Sequence, residues 1–479
     1  MPAKYVIHTK PATGRFRAVG KLGIVDWRED CSNCHNCVKR GCVYGFYRDE
    51  ADTLRDEVGY LDYIYQCKGC LNCVQNCTKN LLTRVENPEY RRLGDDYYSA
   101  EIVLSTWFQA EAGRIPVSGS GYGGPFSGAG FDSMWTDMSE IVRPTRDGIH
   151  GREYISTSVD VGRKLLRLSF RDGRLVETPP PLVELPMPVL FDVIPSNWQR
   201  GHVVEAIVEA AAELGTMAVV SGEDIPRALD TAASHVIPLL CPPLPPGEGR
   251  GEGTPGQTAP FVSSDAASRA PLVMIPDGPD VMAVQAALKT QNSARIVAIR
   301  VTATPEAAQR VLELTRQGAE VVHLVFDHRG REAGTDSPRH LRDVLRDVHG
   351  TLTKAGCRDE VTLIASGGIA LAEHLAKAII CGADLVAIDL PLLVALECRL
   401  CRECEHDNPC PIVLEEMDAA LAVHRIVNLM GAWHSQLLEV LGAMGIREVR
   451  RLRGETGRCM FFEDLERETF GKLFGKRRD

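Results

Sequence analysis

Short apolar runs alternate with helical stretches from Pro186 onward. Each run is rich in Val, Ile and Leu, and amphipathic stretches such as VVEAIVEAAAEL and PEAAQRVLELTRQG lie between most of them. This order is typical of repeated βα units that build a parallel sheet. The eight candidate strands begin at Met187, Thr216, His235, Pro271, Arg295, Val321, Val361 and Leu385. Eight strands close a (β/α)8 barrel, so the sequence predicts an α/β fold of the TIM type.

Most of the cysteines are concentrated in three tight arrays. The arrays are Cys31, Cys34, Cys37 and Cys42; Cys67, Cys70, Cys73 and Cys77; and Cys398, Cys401, Cys404 and Cys410. A C-x2-C-x2-C run wraps a short loop so that three thiolates converge on one iron–sulfur cluster. Two such runs near the N-terminus are typical of a two-cluster ferredoxin, in which the fourth cysteine of each run ligates the other cluster. The sequence therefore predicts two N-terminal [4Fe–4S] clusters, with Cys77 completing the first and Cys42 the second.

Zinc and disulfides are the alternatives for such cysteines. Structural zinc prefers C-x2-C pairs separated by a longer stretch, whereas successive x2 spacings crowd a single tetrahedral ion. The opening MPAKYVIHTK lacks the apolar segment of a signal peptide, and no run approaches the ~18 apolar residues of a membrane span. We therefore expect a cytoplasmic protein with no membrane association, and a reducing compartment disfavours disulfides.

Composition and local patterns define the remaining organisation. The formal net charge of -10 argues against a nucleic-acid partner. The Gly-rich run from Ser118 to Phe131 is interpreted as a connecting loop, because no strand leads into it. The predicted domains are a small α+β ferredoxin-like domain at 1–92, a connecting region at 93–185, the barrel at 186–414 with a Pro/Gly-rich insert at 241–261, and C-terminal helices at 415–479.

Alternation within the strands predicts which side chains enter the barrel. In VVHLVFD, the apolar set Val322, Leu324 and Phe326 should face the helices, which turns His323, Val325 and Asp327 inward. Arg300 turns inward by the same reasoning. Barrels place their chemistry at the carboxyl ends of the strands.

The candidate catalytic residues are therefore Arg300, Asp327 and His328. The alternative is that these three are ordinary polar residues of the rim and that His323 is a hydrogen-bonded interior histidine.

The loops after the seventh and eighth strands are the customary phosphate site of such barrels. Ser366, Gly367 and Gly368 end the seventh strand, and Gly382 precedes the eighth. These four residues are the candidates for binding a cofactor phosphate.

Several segments resemble the FMN-binding domain of glutamate synthase. ASGGI followed by AKAIICGADLVAID is similar to its flavin-phosphate segment, and ALECRLCRECEHDNPCP resembles the cysteine motif that follows its eighth strand. The N-terminal cysteine runs followed by QAEAGRIPVSGSGYGGPF resemble the archaeal-type arrangement, in which a ferredoxin precedes the FMN domain. The resemblance implies bound FMN and a third cluster at 398–410. The family's motif has three cysteines and holds a three-iron cluster, whereas the additional Cys401 favours a [4Fe–4S] cluster here; three irons remain the alternative.

The departures from that family fall on the flavin site. Arg300 stands where the family usually has a lysine, and Asp389 stands where a glycine usually approaches the phosphate. An anionic side chain would repel a phosphate unless it turns away or is paired.

Two functions are compatible with this pattern. The first is an iron–sulfur flavoprotein oxidoreductase that passes electrons from the ferredoxin-type clusters to FMN and reduces an imine-like substrate. Its partners would be redox or amidotransferase subunits, and its electron donor a ferredoxin or a reductase subunit. The alternative is a flavin-less electron-transfer or scaffolding subunit of a larger redox complex.

Overall fold

The computed structural model describes most of the chain. The described residues are 5–16, 19, 24–26, 34, 36, 71–80, 83–85, 88–116, 124, 130–136, 154–195, 202–222, 224–240, 269–406 and 408–475. The insert at 241–261 and the cysteines 31, 37, 42, 67 and 70 lie outside these ranges.

The strands are short, and half of them belong to one sheet. In chain order they are β1 (Ile24–Asp26), β2 (Thr83–Val85), β3 (Met134–Thr136), β4 (Val159–Val161), β5 (Phe170–Arg171), β6 (Arg174–Leu175), β7 (Val183–Leu185), β8 (Val189–Phe191), β9 (Ala218–Ser221), β10 (Val236–Leu239), β11 (Leu272–Pro276), β12 (Ile296–Thr302), β13 (Val321–Val325), β14 (Thr362–Ser366), β15 (Leu385–Ile388) and β16 (Cys459–Phe461).

The α-helices are similarly distributed between the barrel and its flanking segments. They are α1 (Asn72–Gln75), α2 (Pro88–Arg91), α3 (Ala100–Ala112), α4 (Val203–Leu214), α5 (Asp224–Ala232), α6 (Val281–Gln291), α7 (Ala307–Gln317), α8 (Leu341–Lys354), α9 (Ala372–Cys381), α10 (Leu390–Ala395), α11 (Ala419–Ala443), α12 (Phe462–Leu465) and α13 (Gly471–Phe474).

Strands β8 to β15 form a closed barrel in which neighbouring strands are parallel. Each of the eight predicted strands is present, so the predicted (β/α)8 fold is confirmed. In the register of β12 and β13, Arg300 lies directly beside His323. Laterally paired residues of a sheet share a face. The register therefore brings these two side chains together inside the barrel.

The ends of the barrel are covered differently. At the amino ends of the strands, the antiparallel pair β4 and β7 covers the barrel. The Thr362 hydroxyl accepts a hydrogen bond from Gly162 N and donates one to Gly162 O. The long helices α3 and α11 pack on each other, and α11 also packs on α4 and α9. No helix within the described residues is both long and apolar enough to cross a membrane.

Part of the predicted ferredoxin-like segment is described. Strands β1 and β2 pair in antiparallel register, with Ile24 opposite Val85. The cysteine runs are flanked by four short segments whose composition predicts strands, namely LGIVDW, VYGFY, LDYIY and LLTRV. Strand β1 falls within the first of these segments and β2 within the last. The other two predicted segments, VYGFY and LDYIY, lie outside the described residues.

Residues 5–16, which we call the N-terminal strap, pack on α3 and α11. The Asn428 side chain accepts a hydrogen bond from Lys10 N and donates to Lys10 O, while Ala12 N donates to Glu111 O. Gly113 and Gly431 leave room for Thr9, since an added Cβ at either glycine would lie within 2.4 Å of a Thr9 side-chain atom. The strap therefore brings the chain from the long helices to the start of the cysteine-rich segment.

Candidate functional site

A buried ion pair lies at the carboxyl end of the barrel strands. Asp192, which directly follows β8, accepts hydrogen bonds from Arg300 at 2.6 Å and 3.1 Å. The Asp192 side chain is 4% exposed and the Arg300 side chain 20%. Burial by itself would raise the pKa of Asp192, but the charge and the hydrogen bonds of Arg300 outweigh it and the pKa is lowered to about 2. Asp192 is therefore an ionised partner of Arg300 at neutral pH.

Sequence reasoning identified Arg300 but missed Asp192. The available signal was an acidic residue directly after a buried apolar strand, which is where barrels place functional groups. The two-residue period of a strand predicts that Arg300 points into the barrel. No local pattern, however, could identify its partner 108 residues away.

His323 extends the pair into a chain of hydrogen bonds. Arg300 Nη1 donates to His323 Nδ1 at 3.2 Å, and His323 Nε2 lies 2.8 Å from Ser366 Oγ. A guanidinium can only donate, so Nδ1 carries no proton and Nε2 is the protonated nitrogen that donates to Ser366. Burial lowers the pKa of His323 to about 3, which keeps the ring neutral. His323 is thus the interior histidine that the sequence suggested as an alternative to a catalytic one.

Asp389 lies beside this chain at the end of β15. Its carboxylate turns onto the first turn of α10 and accepts a hydrogen bond from Leu390 N at 2.6 Å. Burial, and then the charge of Asp192, raise the pKa of Asp389 to about 6, although the Leu390 N–H and Arg300 act in the opposite direction. We call Asp192, Arg300, His323, Ser366 and Asp389 the mouth cluster.

Asp327 and His328 do not join the mouth cluster. Asp327 is exposed, and its carboxylate accepts hydrogen bonds from Arg329 N and Arg331 N of its own loop. The expectation that Asp327 points into the barrel is therefore wrong, because the residue lies beyond the last residue of β13 and closes a turn. His328 is half-buried and faces Arg402, with Nη2 of Arg402 at 3.0 Å from its Nε2.

The glycines after β14 allow a close approach between two loops. Gly367 and Gly368 have φ values of 94° and 68°, which are left-handed. A Cβ on Gly367 would lie 2.5 Å from the carbonyl oxygens of Phe326 and Asp327, and one on Gly368 would lie 2.4 Å from Gly330 N. The carbonyl of Gly368 accepts a hydrogen bond from Tyr97 Oη at 2.6 Å.

Gly382 lies at the opposite end of the barrel from these glycines. It ends α9, and the nearby Asp384 N donates to Leu363 O at the start of β14. A phosphate held after β14 is out of its reach, so the structure does not bring Gly382 together with Ser366, Gly367 and Gly368. The reason is topological: the helix between two parallel strands returns the chain to their amino ends.

The residues after β14 and β15 are compatible with an FMN phosphate. Two left-handed glycines and the N-terminus of α9 present backbone N–H groups at this end of the barrel, which is the donor set that an anion requires. The adverse charge of Asp389 is moderated, because its carboxylate caps its own helix and its raised pKa leaves it partly protonated near neutrality.

The third cysteine array follows α10 directly. Cys398, Cys401, Cys404 and Cys410 are all half-buried. Burial, together with the neighbouring thiols of Cys401, Cys404 and Cys410, raises the pKa of the Cys398 thiol to about 12, although the Leu400 N–H acts in the opposite direction. The other three thiols are thus close enough to Cys398 to affect its charge. Leu400 N donates to Cys398 Sγ at 3.4 Å.

Residues 397–413, which carry this array and which we call the third cysteine loop, have a backbone that is also suited to an anionic group. Glu397, Leu400, Arg402 and Val413 all have positive φ values. Left-handed residues between right-handed ones turn successive N–H groups toward one concavity, as in many iron–sulfur sites. No group of three or more ligand side chains among the described residues is placed to hold a single ion. A multi-iron cluster lies between its thiolates and separates them more widely than one ion does.

Both ends of the ferredoxin-like segment contact this loop. Ahead of the cysteine runs, Arg15 Nε donates to Glu397 Oε2 at 2.7 Å. After them, Gly94 N donates to Arg399 O at 2.8 Å. Asp95 likewise accepts a hydrogen bond from Arg402 at 2.8 Å.

Of the N-terminal cysteines, Cys34 is exposed and Cys77 half-buried. The side chain of Cys73 and the remaining ligands lie outside the described residues.

Comparisons with known proteins match both the barrel and the whole chain. Residues 262–447 match the family model described as a conserved region in glutamate synthase. Archaeal glutamate synthase [NADPH] of Archaeoglobus fulgidus is 26% identical over 507 residues, covering 94% of this chain and 96% of that protein. Archaeal glutamate synthase [NADPH] of Methanocaldococcus jannaschii is 27% identical, covering 89% and 92%.

Among solved structures, a flavocytochrome b2 mutant with pyruvate bound has a TM-score of 0.41 at 12% identity, covering 73% of this chain and 83% of that one. The predicted relationship is confirmed by the family model and by the curated relatives. Over most of its length the chain is similar to the archaeal-type glutamate synthases, and residues 262–447 match the conserved region of glutamate synthase.

Proposed function

We propose that the chain is an iron–sulfur flavoprotein oxidoreductase of the glutamate synthase type, which uses electrons from the ferredoxin-like segment to reduce an imine-like substrate at the barrel mouth. The observation that carries this proposal is the double attachment of the ferredoxin-like segment to the third cysteine loop, through Arg15 on one side and Gly94 and Asp95 on the other. Residues that bear the predicted cluster ligands are thereby tied to the barrel.

The third cysteine loop is in turn tied to the mouth of the barrel. Arg402 donates both to Asp95 and to His328, the residue that follows β13 by three positions. Tyr97, two residues after Asp95, donates to Gly368 in the loop after β14. Burial alone would raise the pKa of the Asp95 carboxyl. The hydrogen bonds from the N–H groups of Tyr97 and Tyr98, and then the charges of His328 and Arg402, outweigh burial, and the pKa lies below its usual value. The contact between loop and barrel is thus an ionic one.

The residues proposed to hold the cofactors follow from the arrangement. Ser366, Gly367 and Gly368 would hold the FMN phosphate, and Cys398, Cys401, Cys404 and Cys410 would hold a [4Fe–4S] cluster. When bound, these groups supply hydride transfer and one-electron transfer respectively. The thiolate ligands suit a reducing cytoplasm.

The mouth cluster has the charges that imine reduction needs. Arg300, held in place by Asp192, presents its exposed portion to an anionic group of the substrate. Asp389 titrates near neutrality and is our candidate for the proton donor, since a catalytic acid works best when its pKa lies near the working pH. His323 and Ser366 keep the Arg300 guanidinium oriented.

A second function has one observation in its favour. Asp192 and Asp389 place two carboxylates at the mouth of the barrel, where negative charge opposes the binding of an FMN phosphate. Arg300, which could offset that charge, is already paired with Asp192. A barrel that no longer binds flavin would make the chain an electron-transfer or scaffolding subunit.

The decisive experiment is the cofactor content of anaerobically purified protein. We expect FMN released by acid at about one per chain, together with the iron and sulfide of the clusters. Clusters without flavin, and no uptake of added FMN, would favour the second function. If FMN is present, reduction of the protein by NADPH, ferredoxin or a reductase subunit identifies the donor. Added ammonia or an amidotransferase partner then tests imine formation from a 2-oxo acid.

A further inference from the structure

Two arginines hold the third cysteine loop from inside the protein. Arg425 of α11 is fully buried, and its Nε donates to Ala395 O at 2.6 Å, three residues before Cys398. Its Nη1 lies 3.5 Å from Glu111 and 3.6 Å from Glu397. Arg425 therefore ties the residues that enter the loop to the long helices α3 and α11.

Arg15 of the N-terminal strap joins the two ends of the loop. Its backbone N and its Nε both donate to the Glu397 carboxylate, each at 2.7 Å. Its Nη1 donates to Val413 O at 3.5 Å. Glu397 directly precedes the first cysteine of the array, and Val413 follows the last by three residues. The Arg15 side chain therefore bonds to both the start and the end of the loop.

Each of the two guanidinium groups retains a buried N–H without a partner. Nη2 of Arg15 and Nη2 of Arg425 have no hydrogen-bond acceptor among the described residues, and neither does Nε of Arg399 inside the loop. A buried donor without a hydrogen bond destabilises the folded state, and a charged donor does so more strongly. Three such donors on the residues that line one loop indicate an acceptor at that loop.

The charge of the site agrees with an anionic acceptor. Four thiolates outweigh the charge of the iron–sulfide core, so a cluster with its ligands is negative and becomes more negative on reduction. Nearby cations and N–H donors to sulfur stabilise the reduced form.

We infer that Arg15 and Arg425 are positioning residues for the third cluster: they fix the geometry of its loop, and their spare N–H groups donate to its sulfur atoms and raise its reduction potential. The inference rests on the proposed function, because it requires a cluster at Cys398 to Cys410. The cysteine spacing indicates only residues of the loop as part of this site. The inference adds Arg15 of the N-terminal strap and Arg425 of α11.

The test is an anaerobic redox titration followed by EPR, with iron and acid-labile sulfide measured on each sample. Cys398→Ser identifies the signal of the third cluster as the part of the wild-type spectrum that it removes. Arg15→Met and Arg425→Met should each lower the midpoint potential of that signal and leave the other clusters unchanged. Arg15→Lys, which keeps the charge, should recover part of the shift.

A matched control is available at the other end of the barrel. Arg295 is also buried and also has unpartnered Nε and Nη1 atoms, but it precedes β12 and does not contact the cysteine loop. Arg295→Met should leave the potential of the third cluster unchanged. If Arg425→Met does not fold, Arg15→Met decides the question, since the Arg15 side chain is 21% exposed and its removal leaves a smaller defect.

The outcomes separate the inference from the function beneath it. If Cys398→Ser has the iron content and spectrum of the wild type, there is no third cluster and the proposed function fails at that site. If the third cluster is present but its potential is the same in wild type, Arg15→Met and every folded Arg425 variant, the inference is overturned while the proposed function stands. A shift of equal size in Arg295→Met would likewise overturn it.

Discussion

Asp192→Asn tests whether the mouth cluster is an electrostatic unit. The variant keeps the size of the side chain and removes the charge that pairs with Arg300. The pKa of Asp192 falls from about 3.9 in an unfolded chain to about 2 in the folded one. At ~1.4 kcal/mol per pKa unit, the ionised carboxylate contributes roughly 2–3 kcal/mol to folding at pH 7.

Leaving Arg300 without its partner adds to that loss. Removing one member of a buried pair costs about 3–5 kcal/mol, and the partial exposure of Arg300 moves the expected value toward the lower end. We therefore expect Asp192→Asn to lower the free energy of unfolding by roughly 2–4 kcal/mol. Because the folded pKa lies below the unfolded one, the contribution is complete above pH 4 and is lost as the pH falls through 2, so an assay at pH 7 captures all of it.

The assay is urea unfolding under anaerobic conditions, followed by far-UV circular dichroism. Arg300→Met and the double variant complete a double-mutant cycle. We expect the double variant to be less destabilised than the sum of the single variants, by about 2 kcal/mol. A midpoint of Asp192→Asn within error of the wild type at unchanged slope, or additive single variants, would refute the reasoning.

Three other substitutions test separate features. Replacing Cys401 by Ser should remove about one cluster's iron or convert the third cluster to a three-iron form, and an unchanged iron content and spectrum would show that Cys401 is not a ligand. Gly367→Ala should lose FMN and lower the thermal midpoint strongly, because its Cβ meets two carbonyl oxygens in addition to the strain of a positive φ; the control Gly334→Ala, which has a positive φ but open space, should keep FMN and lower the midpoint by less, and equal effects would contradict the packing argument. Asp389→Asn should be no more stable than the wild type below about pH 4, gain an advantage as the pH rises from about 4 to 6, and keep that advantage above pH 6, since the raised pKa of Asp389 makes its ionised form destabilising; a stability difference that does not change with pH would exclude this titration.

Much of the barrel was predictable from local pattern. The eight strands follow from short apolar runs separated by amphipathic stretches, because burial on both faces of a parallel sheet leaves that signature in the sequence. The inward placement of Arg300 and His323 follows from the two-residue period of a strand. Asp327 was placed wrongly because the same period was extended past the end of β13, into a turn where backbone N–H groups determine the orientation of the side chain.

Cysteine spacing, strand alternation and the order of the segments are local properties, so the sequence by itself determined the barrel, the three cysteine arrays and the inward arginine and histidine. Only the tertiary structure decided the partners of those residues. Asp192 reaches Arg300 across 108 positions, and Arg15 reaches Glu397 across 382. Such contacts depend on how the barrel closes and on which helix faces the strap, and both are set by the packing of the whole chain.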